Sequence, residues 1–293
     1  MSDDRLLQVP DTVQKAWIAL RARLEKARVA EAEVKCQWLL AHLLNCSRST
    51  LSLQTREPVS ADWMNRMDKM AGRLARHEPL QYVLGQTDFF GRRFDCDSRA
   101  LIPRPETEQL ISSVLSCPIL QIRAVPRIAD VGTGTGCIAI TLALELPHAR
   151  IFASEADPRT LSLARSNARR LRVSGRIQWI HTDLLKGIET STLDAVVSNP
   201  PYVQTDVWLK LERQIRLHEP RLALDGGPDG LDLIRRLAKE ARRTLKPRGR
   251  LFLEIGNDQA HKTLRILRRE GFCSAIYQRD LQGHPRIVTA RRQ

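Results

Sequence analysis

The strongest constraint on the fold is an alternation that begins at Arg127 and runs to the end of the chain. Ile128-Ala129-Asp130-Val131 is a short apolar strand. The run Gly132-Thr133-Gly134-Thr135-Gly136 opens a helix from Cys137 to Leu146. Ile151 to Ser154 leads to Glu155, and Pro158 starts a helix reaching Leu171. Ile177 to Ile180 leads to Asp183, and Leu193 to Ser198 leads to Asn199-Pro200-Pro201-Tyr202. A helix over Leu231 to Leu245, a strand over Arg250 to Ile255, a helix from about Gln259 to Arg269 and strands at Phe272 to Tyr277 and Arg286 to Ala290 complete the pattern. Strand and helix in turn imply a Rossmann-like, doubly wound, mainly parallel sheet of seven strands.

Upstream the pattern is different. Val13, Trp17, Leu20 and Leu24 recur at helical spacing, followed by Val34, Trp38 and Leu39, then Trp63, Met67, Met70 and Leu74. These predict a small all-α domain over residues 1–78, with Ser60 as an N-cap and the tryptophans and methionines in its core. Tyr82 to Phe94 alternates β-formers with glycines, so residues 79–103 are expected to hold a bridging β-hairpin. Pro105 with Glu106 and Glu108 marks the start of a helix to about Ser116, and residues 104–293 form the larger domain. Two domains suit 293 residues.

The strand ends of the larger domain carry the candidate chemistry. Glycines after a first strand let a ligand approach the backbone, and an acid after the second can accept ribose hydroxyls. The spacing here is Gly-x-Gly-x-Gly, with Asp130 before it, unlike the Gly-x-Gly-x-x-Gly of nicotinamide sites. An acid beside the loop disfavours pyrophosphate and can favour a ligand carrying an ammonium or sulfonium, which argues for S-adenosylmethionine. The candidate cofactor residues are Gly132, Thr133, Gly134, Thr135, Gly136, Glu155 and Asp183, with Asn199 after the fourth strand completing the set. The candidate catalytic residues are Asn199, Pro200, Pro201 and Tyr202. Two prolines remove backbone donors and leave acceptors beside an aromatic ring. Such a loop suits a planar group with two N–H donors, either a carboxamide or an exocyclic base amine.

Composition narrows the setting. The net charge of +14 fits encounters with nucleic acid or a ribonucleoprotein, and equally a scatter of solvated arginines. The six cysteines lie far apart with no metal-ligand spacing, so no metal is expected and the thiols should be reduced. Met1-Ser2-Asp3-Asp4-Arg5 has acidic residues where a secretory leader would be basic, and no long apolar run follows, so a cytoplasmic protein without a membrane segment is expected.

With these residues assembled, the chain resembles the release-factor glutamine methyltransferases, the PrmC or HemK family within class I methyltransferases. The resemblance runs through Leu101-Ile102-Pro103-Arg104-Pro105-Glu106-Thr107-Glu108, Asp130 to Gly136, Asn199 to Tyr202, Glu219-Pro220 with Ala223-Leu224, and Gly226-Gly227 through Gly230-Leu231-Asp232. It implies methyl transfer from S-adenosylmethionine to the glutamine of the Gly-Gly-Gln loop in class I peptide chain release factors. Cofactor contacts would fall on Gly132 to Gly136, Glu155, Leu184 and Asn199, and substrate contacts on Asn199 to Tyr202. Asn199 and the Pro200 carbonyl would accept the two amide N–H groups while Tyr202 stacks on the amide plane. Glu155 stands where relatives often have aspartate, His218 where an aromatic is common, and Leu184 where some place an aromatic. A monomer that needs no nucleic acid is expected. Competing readings are an adenine amino-methyltransferase acting on DNA or RNA, a methyltransferase for a ribosomal-protein glutamine, and a non-catalytic ribosome-binding module.

Overall fold

The computed structural model describes residues 11–293, so the leader expectation for Met1 to Arg5 lies outside the described residues. Contacts divide the chain into two units.

The smaller unit is helical. It contains α1 (Val13–Lys26), α2 (Ala32–Leu43), α3 (Ala61–Ala75) and α4 (Leu80–Leu84), with a 3-10 turn at Arg48–Gln54. Residues 213–218 also belong to it. Ala16, Leu20, Leu24, Leu39, Leu40, Met67 and Leu74 form its core. Thr12 and Ser60 cap α1 and α3, each accepting from a backbone N–H three residues on. Trp38 departs from the expected core: it is 39% exposed, and the Arg48 guanidinium lies 4.8 Å from its ring centre. A surface ring capped by a cation keeps its apolar face partly covered.

The larger unit starts with a hairpin, β1 (Gln86–Phe89) and β2 (Arg92–Asp95), followed by α5 (Pro105–Leu115) and α6 (Pro118–Ile122). The alternating region then gives β3 (Arg127–Val131), α7 (Cys137–Glu145), β4 (Arg150–Glu155), α8 (Pro158–Arg170), β5 (Ile177–His181) and β6 (Leu193–Ser198). Two short helices, α9 (Thr205–Trp208) and α10 (Arg213–His218, part of the helical unit), precede α11 (Asp232–Thr244), β7 (Leu245–Glu254), α12 (Ala260–Arg269), β8 (Phe272–Arg279) and β9 (Pro285–Arg292). The sheet order is β5-β4-β3-β6-β7-β9-β8. The first five are parallel, and β9 runs antiparallel to β7 and to β8. This is the expected seven-stranded Rossmann-like sheet.

Two apolar layers cover the sheet. Helices α5 and α7 bury Leu110, Ile111, Ile138 and Leu142 on one face, and α11 and α12 bury Ile234, Leu237 and Leu267 on the other. Phe89 and Phe94 of the hairpin meet edge to face, with ring centres 6.0 Å apart, and join the first layer. The hairpin is thus part of the larger unit's core. At the foot of the sheet the buried Asp194 accepts from the Arg127 N–H and Lys246 Nζ, each at 2.9 Å, and pairs with Arg123 at 2.9 Å. One carboxylate therefore ties the starts of β3, β6 and β7 together, and its burial is matched by three donors. All six cysteines are free thiols, as expected, and four of them are buried.

Candidate active site

The site is set by register. Val131, Ser198 and Leu253 stand abreast on the neighbouring strands β3, β6 and β7. The residues one step further on are Gly132, Asn199 and Glu254. The order reverses at β3/β6, where adjacent strands leave in opposite directions, and open α/β sheets bind ligands at such a switch point. A cleft of ≈ 980 Å³ lies there. It is lined by Gly132, Thr133, Gly134, Thr135, Glu155, Asp183, Leu184, Asn199, Pro200 and Pro201, with the 98–107 and 220–227 segments forming its lips. Ten of the predicted residues share one cavity. Gly136 and Tyr202 do not line it.

The glycine loop has two kinds of glycine. Gly132 and Gly134 sit at φ +71 and +58, in the left-handed region; a Cβ on Gly132 would meet nothing within 4 Å, so the bare backbone faces open space. Gly136, at φ +83, is a packing glycine: its Cβ would come within 2.9 Å of Ile140 Cδ1 and 3.2 Å of Ala164 Cβ. Asp130 braces the loop from below. Fully buried, it accepts from Thr133 Oγ1 at 2.6 Å and from the Ala139 N–H at 3.1 Å. Burial pushes its carboxyl up to about 7, against the pull of those donors. The expectation that Asp130 offers charge to a sulfonium therefore gives way to a bracing role, because both its donors come from the loop and the start of α7.

Glu155 is already oriented. Its Oε2 accepts from the Gly134 N–H at 3.1 Å and its Oε1 from the Ala156 and Asp157 N–H groups at 2.8 and 3.2 Å. Asp183 sits at the rim, paired with Lys186 at 2.9 Å and Arg236 at 2.5 Å; the Lys186 hydrogen bond, with Arg236, holds its carboxyl below the usual range. Leu184 is buried and adopts φ 55, unusual for a branched side chain.

The Asn199 to Tyr202 loop is held from beneath. Asn199 Nδ2 donates to Thr107 Oγ1 at 3.0 Å, and no described residue donates to its Oδ1. Thr107 Oγ1 donates to Glu254 Oε2 at 2.7 Å, and Tyr202 OH donates to Glu254 Oε1 at 3.2 Å. Burial raises the Glu254 carboxyl to about 7, and burial followed by Glu254 raises the Tyr202 phenol. Gln259 donates to the Tyr202 carbonyl at 2.8 Å. Gly226 and Gly230 allow the backbone to press in: a Cβ on Gly226 would lie 2.6 Å from the Pro201 carbonyl oxygen, and one on Gly230 would collide with the Tyr202 carbonyl. At the lip, the buried Glu219 accepts from Arg104 at 2.5 Å and from the Ile102 N–H at 3.3 Å. This accounts for Arg104. His218 lies in the helical unit, its Nε2 3.4 Å from the Arg76 carbonyl.

Thr107, Glu254 and Gln259 escaped the sequence reading. Glu254 closes the apolar run Leu251-Phe252-Leu253 as Glu155 closes its own strand, and that signal was available. Thr107 was absorbed into a helix start.

The fit to a cofactor of this size and polarity rests on the exposed glycine backbone and an acid within reach of it. A PrmC N-terminal domain model matches residues 15–85 and a methyltransferase small domain model matches residues 110–217. The chain is 37% identical over 282 residues to a release factor glutamine methyltransferase of Koribacter versatilis (strain Ellin345), covering 96% of this chain and 99% of that one. It is 38% identical over 274 residues to the protein of that name from Deinococcus radiodurans, covering 92% and 95%. Among solved structures, the hMettl16 catalytic domain in complex with MAT2A 3'UTR hairpin 6 superposes with a TM-score of 0.56 at 18% identity, over 77% of this chain and 81% of that one. A methyltransferase from Pyrococcus furiosus gives 0.51 at 15%, over 79% and 98%. At that identity the two structures speak to the fold. The near-complete relatives speak to descent, and the chain belongs to the release factor glutamine methyltransferase family.

Proposed function

We propose that this methyltransferase moves a methyl group from S-adenosylmethionine to the side-chain amide nitrogen of the glutamine in the Gly-Gly-Gln loop of class I peptide chain release factors. The observation that carries the reading is the Asn199 amide. Its NH₂ is committed to Thr107 while its oxygen lines the cleft with no described donor, so it is an acceptor one strand away from the glycine loop.

In this reading Gly132 to Gly136 and Glu155 hold the cofactor, with the Glu155 carboxylate accepting ribose hydroxyls. Asp183 and Leu184 border the far end of the cleft. When bound, the cofactor supplies an electrophilic methyl on sulfur. An amide nitrogen is a poor nucleophile because its lone pair is delocalised. Asn199 Oδ1 and the Pro200 carbonyl accept its two N–H bonds, which fixes its direction and stabilises the charge that builds on nitrogen. Orientation can lower a barrier by up to ~7 to 11 kcal/mol, so no strong base is needed beside the nitrogen: as the N–C bond forms and the S–C bond breaks, the methylated amide becomes acidic enough to lose one proton to water. Tyr202 is half-buried with its hydroxyl on Glu254, so it serves this reading as an anchored wall of the loop. The helical unit is assigned to recognition of the release factor. No helix among the described residues is long and apolar enough to cross a membrane. A cytoplasmic monomer fits a substrate of the translation apparatus.

The test is transfer of label from methyl-labelled cofactor to purified release factor, with a variant carrying Gln→Ala in its Gly-Gly-Gln loop as control. Label on the wild-type factor alone is expected. Label on an adenine-containing oligonucleotide, with none on the factor, would replace this reading by the base methyltransferase.

A further inference from the structure

Beneath the cleft, hydrogen bonds run without a break from Asn199 through Thr107 and Glu254 to Tyr202. Two of the four members are buried: Thr107 is 2% exposed and Glu254 0%. A hydroxyl carries one proton. Thr107 gives that proton to Glu254 Oε2 at 2.7 Å, so toward Asn199 its oxygen can only accept. Only the NH₂ end of the Asn199 amide can satisfy it, at 3.0 Å. Turning the amide over would set two acceptors against each other at a buried hydroxyl, a costly arrangement. The other oxygen of the same carboxylate takes the phenol of Tyr202 at 3.2 Å. One buried group thereby fixes both side chains that flank the two prolines.

We propose that Thr107 and Glu254 are positioning residues for methyl transfer: the Glu254 carboxylate sets the direction of the Thr107 hydroxyl, and that hydroxyl locks Asn199 with its oxygen toward the substrate amide. The inference rests on the reading of Asn199 as the acceptor for that amide. Neither residue lines up against the reacting atoms, and both act through Asn199 and Tyr202.

The experiment compares Thr107→Val, which keeps the shape and removes the hydroxyl, with Thr107→Ser, which keeps the hydroxyl. Steady-state methylation of the release factor is read beside cofactor affinity by calorimetry. In Thr107→Val, kcat should fall by about 10- to 100-fold, the range typical when a residue that orients a metal ligand is lost, while the cofactor Kd stays within about threefold. Thr107→Ser should restore most of the rate. A Thr107→Val enzyme with wild-type kcat, or a Thr107→Ser enzyme as slow as Thr107→Val, overturns the proposal. Failure of the wild-type enzyme to methylate the factor would instead overturn the function on which it rests.

Discussion

The two ends of an amide side chain have nearly the same shape, and which end enters the cleft decides whether Asn199 receives hydrogen bonds or gives them. With its oxygen outward, Asn199→Ala should abolish most methyl transfer, by about 10² to 10³ in kcat, with the melting transition unchanged. Glu254 adds a pH dependence. It faces Thr107 and Glu106 from α5, Tyr202 from the loop, Arg286 from β9 and Cys137 from α7, and burial leaves its carboxyl at about 7. Accepting from both hydroxyls requires the carboxylate, so turnover should drop as pH falls below about 7, and Glu254→Gln should flatten that limb of the profile. Stability moves the other way. The folded protein holds this proton, and that of Asp130, more tightly than the unfolded chain does. Their contribution is complete below the ordinary carboxylate range and is lost as pH rises through about 7. Melting curves between pH 5 and 8 would register the loss. At this scale Glu155 and Asn199 were legible because each closes an apolar run. The role of Thr107 was not, because it depends on a partner 147 residues away.

Elements with repeating patterns were legible to within a residue or two at most ends; β7 alone begins well ahead of its expected start. The strand over Leu193–Ser198 and the helix starting at Pro158 fall where the periodicity put them. Helices α4, α6, α9 and α10 were not foreseen, since four to six residues are too few to display a helical period, and α4 takes Tyr82 to Leu84 from the stretch expected to open the hairpin. The hairpin was foreseen, but its packing was not. Phe94 is 0% exposed in the core shared with α5 and α7, so Phe94→Ala should cost about 3 to 5 kcal/mol by urea titration of the larger unit. The loop after β6 has its own support in the 224–227 strip, where the Val203 N–H donates to the Leu224 carbonyl at 2.9 Å and the Gly226 N–H to the Val203 carbonyl at 2.8 Å. Its close approach to Gly226 leaves no space for a methyl group. Gly226→Ala should displace the Pro201 carbonyl and slow methyl transfer more than it weakens cofactor binding, which the same calorimetry and rate assays would separate.

Across the whole molecule, the charge has a structural pattern. Helices α8, α11 and α12 each end in paired arginines, Arg169-Arg170, Arg242-Arg243 and Arg268-Arg269. Cations at helix C-termini offset the helix dipole. Because each of these helices returns from the cleft side, they collect at the foot of the sheet, the end opposite the proposed cofactor. Cofactor binding should stabilise the fold by about 2.7 kcal/mol at a hundred times its Kd, raising the melting temperature by several degrees, and Glu155→Ala should shrink that rise. The cleft itself is assembled from far-apart stretches of chain. Its lips are joined by the Arg104 and Glu219 ion pair, whose members are 115 residues apart. Contacts that close so long a loop form late on the folding pathway. The clasp should therefore govern how slowly the cleft comes apart: Arg104→Ala should speed unfolding while leaving the refolding rate nearly as it was, so that the pair acts as a latch on the native state's lifetime.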